Sequence, residues 1–140
     1  MNWLVKDQVP SLRARDLRVG WEFYRRLGFE RKWQWPRECP VILGLGLGGF
    51  TLMLSESAVV VPGAVYYVVD DVEACFRDVV DQRPWEVAGQ IWEAVFGGES
   101  VPERALAAPD APSVKEHRHF DFTVVDPWGN EITFGCEAVS

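Results

Sequence analysis

Apolar and polar positions change period several times along the 140 residues, and each change marks an element. Val9 to Ala14 alternate weakly and lead into Arg15-Asp16. Beyond them Leu17, Trp21, Tyr24 and Leu27 fall at helical spacing, and Gly28 stops the run. The pattern predicts a strand, an N-cap at Asp16 and an amphipathic helix over 17–27, with Phe23 widening its buried stripe. Phe29 to Trp35, Val41 to Leu45 and Phe50 to Ser55 are short stretches bounded by Gly or Pro, which predicts three strands. The glycines from Gly44 to Gly49 precede an alternating segment and not a helix, so they read as a hairpin turn and not as a phosphate loop.

The second half repeats this order. Ala64 to Val69 predicts a strand, Asp70-Asp71 matches Arg15-Asp16, and Val72, Phe76 and Val79 repeat the spacing of Leu17, Trp21 and Tyr24. Gly129 to Phe134 aligns without gaps to Gly49 to Leu54, so the chain reads as an internal duplication. Gly97 to Ser113 lacks periodicity and predicts a mobile surface loop. His119 to Val125 alternates as a strand, and Asp126 to Asn130 is a turn leading into the last strand.

With 48% hydrophobic and 13% aromatic residues the chain is sized for one domain. It has no membrane-length apolar run and no secretory leader pattern, which makes the cytoplasm the default location. Cys39, Cys75 and Cys136 show neither zinc-site pairs nor a disulfide framework and read as reduced core or strand residues. A net charge of −7 argues against nucleic acid as a partner. It permits a cationic ligand, although solubility alone is the plainer account of it. Seven tryptophans suggest a rich core or a stacking pocket. Nothing resembles a nucleophile elbow, and Cys75 lies on a predicted helix with no evident base, so no catalytic residue is expected.

Three segments, VPSLRARDLRVGWEFYRRLGF, GAVYYVVDDVEACF and FTVVDPWGNEITF, resemble the vicinal-oxygen-chelate superfamily, which includes glyoxalase I, bleomycin-resistance proteins and extradiol dioxygenases. The resemblance spans about residues 9–137 and is greatest to the bleomycin-resistance branch. It implies an α+β fold of two tandem βαβββ modules, at about 5–57 and 62–137 of a single domain, forming a cupped mixed sheet. It also implies a homodimer that completes the cup, with Trp3 and the N-terminal segment as candidates for strand exchange.

Enzymes of the superfamily hold a divalent metal through His and Glu side chains on the first and last strands of each module. Carried onto this sequence, those positions are Val9 and Ala64, counted back from Asp16 and Asp71, and Met53 and Thr133 on the end strands. None supplies a hard-metal ligand, so no metal and no cofactor is expected there. The alternative is a metal-dependent lyase, isomerase or dioxygenase whose site has moved to His117, His119, Glu56 or Asp121. The leading expectation is a metal-free protein that binds an antibiotic-like, planar or cationic small molecule and acts by sequestration. On the resemblance, Trp33 and Trp35 face the ligand, with packing into the core as the competing possibility. Thr51, Met53 and Thr133 line the cup. Arg118 stands where bleomycin binders usually carry the Trp of a Pro-Trp-Gly; its guanidinium can stack but repels a cationic drug, which leaves Trp85 and Trp92 to compensate.

Overall fold

In the computed structural model, which describes residues 2–97 and 103–138 apart from the side chains of residues 87 and 88, the chain begins its regular structure at Ser11. The first half runs β1 (Ser11–Ala14), α1 (Leu17–Arg26), β2 (Glu30–Trp35), β3 (Ile42–Leu47) and β4 (Phe50–Glu56). The second runs β5 (Ala64–Val68), α2 (Val72–Gln82), α3 (Pro84–Phe96), a 3-10 turn (Glu103–Leu106), β6 (Ser113–Val114), β7 (His119–Val125) and β8 (Glu131–Glu137). The strands form two four-stranded sheets ordered β1-β4-β3-β2 and β5-β8-β7-β6. In each, the first strand pairs parallel with the last and the remaining pairs are antiparallel. The duplication in the sequence is thus a duplication of topology.

The acidic residues that precede each first helix act as expected. The Asp16 carboxylate accepts from the backbone N–H of Arg18 at 2.8 Å and of Val19 at 3.2 Å, and Asp71 accepts from Ala74 N–H at 3.0 Å. Each satisfies N–H groups that a helix start leaves without partners. Gly28 ends the first helical unit at φ +102, a conformation costly for residues bearing a Cβ. The structure adds a helix that the periodicity did not reveal: α3 starts straight after α2, the break falling at Arg83, with φ +47, and at Pro84 in the first helical turn.

One core joins the two halves. From sheet 1 it takes Leu12, Ala14, Leu43, Leu45, Leu52 and Leu54, and from sheet 2 Phe122, Val124, Ile132 and Phe134. Phe23 and Tyr24 of α1 are fully buried, and Phe76 of α2 meets Phe122 edge to face at 5.2 Å. Trp92 is 4% exposed and packs on Trp128 at 5.9 Å, while Trp85 lies against the same core. Neither therefore compensates for a missing stacking residue on a sheet face.

The Asp126-to-Asn130 turn clamps the halves together. Asp126 is fully buried and accepts four hydrogen bonds: from Tyr24 Oη at 2.8 Å, Asn130 Nδ2 at 2.7 Å, and the backbone N–H of Trp128 and of Asn130, each at 2.9 Å. Asn130 Nδ2 also donates to the Arg13 carbonyl at 2.8 Å, and its Oδ1 accepts from Gly63 N–H at 2.8 Å. Two residues of one turn thereby tie together β1, α1 and the approach to β5. Burial pushes the Asp126 carboxyl up to about 6 against the opposing pull of those donors.

The segment from Gly97 to Ser113 is more anchored than its composition suggests. Residues 98–102 lie outside the described residues, but Ala105 of the 3-10 turn is 1% exposed and Arg104 pairs with Glu131 at 2.9 Å. Cys39 corrects another expectation, since it is exposed in the connection between β2 and β3; Cys75 and Cys136 are half-buried in α2 and β8. Among the described residues no helix is long and apolar enough to cross a membrane.

Candidate functional site

Because alternate residues of each strand enter the shared core, the other set forms an outer face on each sheet. On sheet 1 that face carries Ser11, Thr51, Met53, Gly44 and Gly46, with Met53 paired to Ser11 on one side and to Gly44 on the other. The edge strand β2 completes it through an irregularity. Its register with β3 shifts between Arg31 and Trp33, and the extra residue brings Lys32 and Trp33 onto the same side. The glycines opposite make room: a Cβ on Gly44 would overlap the Trp33 indole, and one on Gly46 would meet the Lys32 stem. Trp33 thus rests against bare backbone with 42% of its surface exposed, and Trp35, two residues on, is 61% exposed. Neither packs into the core, which removes that competing possibility.

Sheet 2 has an outer face of different chemistry. Here Tyr66 of β5 crosses Gly135 of β8, whose Cβ would overlap the phenol, and Tyr66 Oη donates to Asp121 Oδ2 at 3.3 Å. Asp121 is only 2% exposed, with Lys115 Nζ at 3.8 Å and His117 Nε2 at 3.6 Å covering its two oxygens. Desolvation first, and the Asp121 charge second, raise the Tyr66 hydroxyl to about 12, so it remains a neutral donor. Thr123 and Thr133 share a hydrogen bond at 2.7 Å. These residues, with Glu116, line a hollow of about 390 Å³.

The expected site residues divide accordingly. Trp33, Trp35, Thr51 and Met53 share the outer face of sheet 1, whereas Thr133 lies on that of sheet 2. Arg118 joins neither group: it sits exposed in the turn before β7 at φ +64, its N–H donating to Lys115 O and its carbonyl accepting from Ala138 N–H. Tyr66 and Lys32 were not singled out from the sequence. The signal for Tyr66 was Gly135, a glycine inside an alternating strand, which marks a close approach from elsewhere.

Strand pairing corrects two of the expected metal positions: the first-strand residue beside Met53 is Ser11 and the one beside Thr133 is Tyr66, each two residues on from Val9 and Ala64. No imidazole or carboxylate belongs to that set, so these residues do not fit a divalent ion. Glu56, one of the alternative ligands, is directed instead to the backbone N–H of Leu17 at 3.4 Å. Cys75 is no better a nucleophile, since burial and then Asp78 push its thiol up to about 11.

No family profile and no curated protein matches the sequence. Solved structures match the fold along nearly the whole chain. A bleomycin resistance determinant encoded on transposon Tn5 superposes with a TM-score of 0.67 at 18% identity, covering 96% of this chain and 100% of that one. The bleomycin-binding protein of Streptomyces verticillus, complexed with copper(II)-bleomycin, gives a TM-score of 0.63 at 19% identity and covers both chains completely. This is the vicinal-oxygen-chelate fold. A lactoylglutathione lyase from Agrobacterium tumefaciens shares it too, with a TM-score of 0.57 at 18% identity over 91% of this chain and 90% of that one. Binders and an enzyme thus share the vicinal-oxygen-chelate backbone, so the function of this chain has to be argued from its own side chains.

Proposed function

We propose that the chain is a small-molecule binding protein of the bleomycin-resistance kind, which takes up a planar ligand stoichiometrically and without a metal at the four family positions. One observation carries the reading: Trp33 lies on the glycine strip of β3 with a large part of its ring open, beside an exposed Trp35. Exposing two indoles on one sheet face forgoes burial worth roughly 1.5–3 kcal/mol for each large side chain, a cost that a stacking ligand recovers. Thr51 and Met53 border the platform, and Thr133 lies on the facing wall supplied by a second copy.

The second copy enters because both outer faces point away from the shared core, so one chain alone encloses neither. Exposed Trp33 and Trp35 on one sheet, and Tyr66 and Val68 on the other, are the surface a homodimer covers. Arg118, away from both platforms, acts at most at the rim. The copper(II)-bleomycin and bleomycin complexes of chains with this fold make bleomycin the first probe.

The test is a titration of tryptophan fluorescence with bleomycin and with a set of neutral and cationic planar antibiotics, alongside light scattering for mass. Saturable quenching at one ligand per site, from a particle of twice 15.9 kDa, supports the proposal. Absence of saturable quenching across the whole set would overturn it.

A further inference from the structure

The turn into β7 holds a pair of imidazoles whose arrangement differs from that of a solvated strand end. His117 and His119 turn the same ring atom toward each other, with Nδ1 to Nδ1 at 2.9 Å and ring centroids at 4.8 Å. Two nitrogens at right angles around one ion, each about 2.0–2.1 Å from it, stand about 3 Å apart. The pair thus already has the spacing of neighbouring ligands on a metal. His117 also shows which nitrogen carries the lone pair. Its Nε2 is 3.6 Å from the buried Asp121 carboxylate, and its Nδ1 accepts from the His119 backbone N–H at 3.2 Å. Proton on Nε2 and lone pair on Nδ1 is the tautomer a carboxylate selects in a metal-ligating histidine.

We propose that His117 and His119 bind a divalent transition-metal ion through their Nδ1 atoms, at the rim of sheet 2 and apart from the positions at which relatives hold theirs. Imidazole donors suit nickel, copper and zinc better than magnesium or calcium. In the free protein His119 Nδ1 faces both His117 Nδ1 at 2.9 Å and the His117 carbonyl at 3.1 Å, so its proton has an acceptor in either. Metal binding shifts the His119 proton from Nδ1 to its Nε2 and displaces the His119 backbone N–H from His117 Nδ1, so that both lone pairs turn to the ion with no net proton released. Among the described residues no group of three or more His, Cys, Asp and Glu side chains is arranged to hold a metal. The site therefore supplies two protein ligands and leaves the other positions to water or to an incoming chelator. Glu137, paired across the sheet from His119, is near enough to join by rotation of its side chain.

The proposal stands independently of ligand stacking on Trp33. Calorimetric titration of the tag-free full chain with nickel chloride and with copper chloride tests it. Expected are one saturable site per chain and at least about a tenfold loss of affinity in His117→Ala and in His119→Ala. Glu137→Gln is expected to lose less. The copper complex should show nitrogen couplings from two imidazoles in electron paramagnetic resonance. Metal-free melting of the variants serves as the folding control, with His119→Gln as substitute should His119→Ala melt early. No saturable uptake by the wild type, or uptake by both histidine variants equal to that of the wild type, overturns the site.

Discussion

Asp126 allows the physics of the fold to be tested through one carboxyl. Its Oδ1 takes two backbone N–H groups and its Oδ2 takes Tyr24 and Asn130, all at 2.7–2.9 Å, yet burial still raises it to about 6. In the unfolded chain it ionises near its ordinary value of 3.8. A carboxyl whose folded value is the higher one binds its proton more tightly when folded. Its contribution to stability is therefore complete below about 4 and is lost as pH rises through about 6. The gap corresponds to on the order of 3 kcal/mol at 1.36 kcal/mol per pH unit.

Asp126→Asn isolates that contribution, because every other titrating group cancels between the two proteins. The new amide keeps Oδ1 as acceptor but turns an NH₂ toward Asn130 Nδ2, which cannot flip while its Oδ1 holds Gly63 and its Nδ2 holds Arg13. One buried donor loses its acceptor, at a cost of about 1–3 kcal/mol. At pH 3.5 the variant should be less stable by that amount, and by pH 7.5 the deficit should have shrunk to nothing or reversed. Urea denaturation followed by tryptophan fluorescence across this range measures the difference. A deficit that grows with pH would refute the reasoning, since it would mean that four donors hold the carboxylate ionised despite burial.

Further outcomes follow from the same geometry. Trp33→Ala should leave the melting temperature nearly unchanged, because the indole lies on the outer face and not in the core, but weaken a planar ligand by about 0.5–1.5 kcal/mol of stacking, read by calorimetry. Gly135→Ala places a methyl where the Tyr66 phenol and Asp121 Cβ lie and should cost about 1–3 kcal/mol in urea denaturation, with Tyr66→Phe restoring part of it. Trp92→Ala, which empties a core position against Trp128 and Phe96, should cost about 3–5 kcal/mol and lower the thermal midpoint without touching either sheet face.

The strand–helix–three-strand order was legible because its punctuation is local. Asp16 and Asp71 cap the helices with their own carboxylates, and Gly28 needs its positive φ within the turn it occupies. What was not legible depends on contacts distant in sequence. Helix α3 follows a break at Arg83 and Pro84 that reads equally well as a loop, and it is held by packing of Trp92 against Trp128, 36 positions on. The tryptophans illustrate the limit: Trp92 and Trp128 are buried while Trp33 and Trp35 are open. Composition treats all four alike. What directs Trp33 outward is the extra residue at Lys32, a register detail fixed by the pairing of β2 with β3.

The same comparison shows why duplication of the backbone does not imply duplication of the site. Met53 and Thr133 occupy matching places on the end strands, each beside the first strand of its module. In the first module that neighbour is Ser11, too small to fill the face, and the aromatic comes from the opposite edge, where Trp33 reaches over Gly44. In the second module the neighbour is itself the aromatic, Tyr66, reaching over Gly135. A glycine clears the floor in both sheets, but it lies on β3 in one and on β8 in the other, so the ring enters from opposite sides. The polar groups follow suit: Tyr66 brings a hydroxyl onto Asp121, whereas Trp33 stands over bare backbone. One repeated fold has therefore produced an aromatic wall on one sheet and a hydrogen-bonding wall on the other. Such a pair suits a ligand that is planar at one end and polar at the other, provided that a second copy brings the two walls face to face.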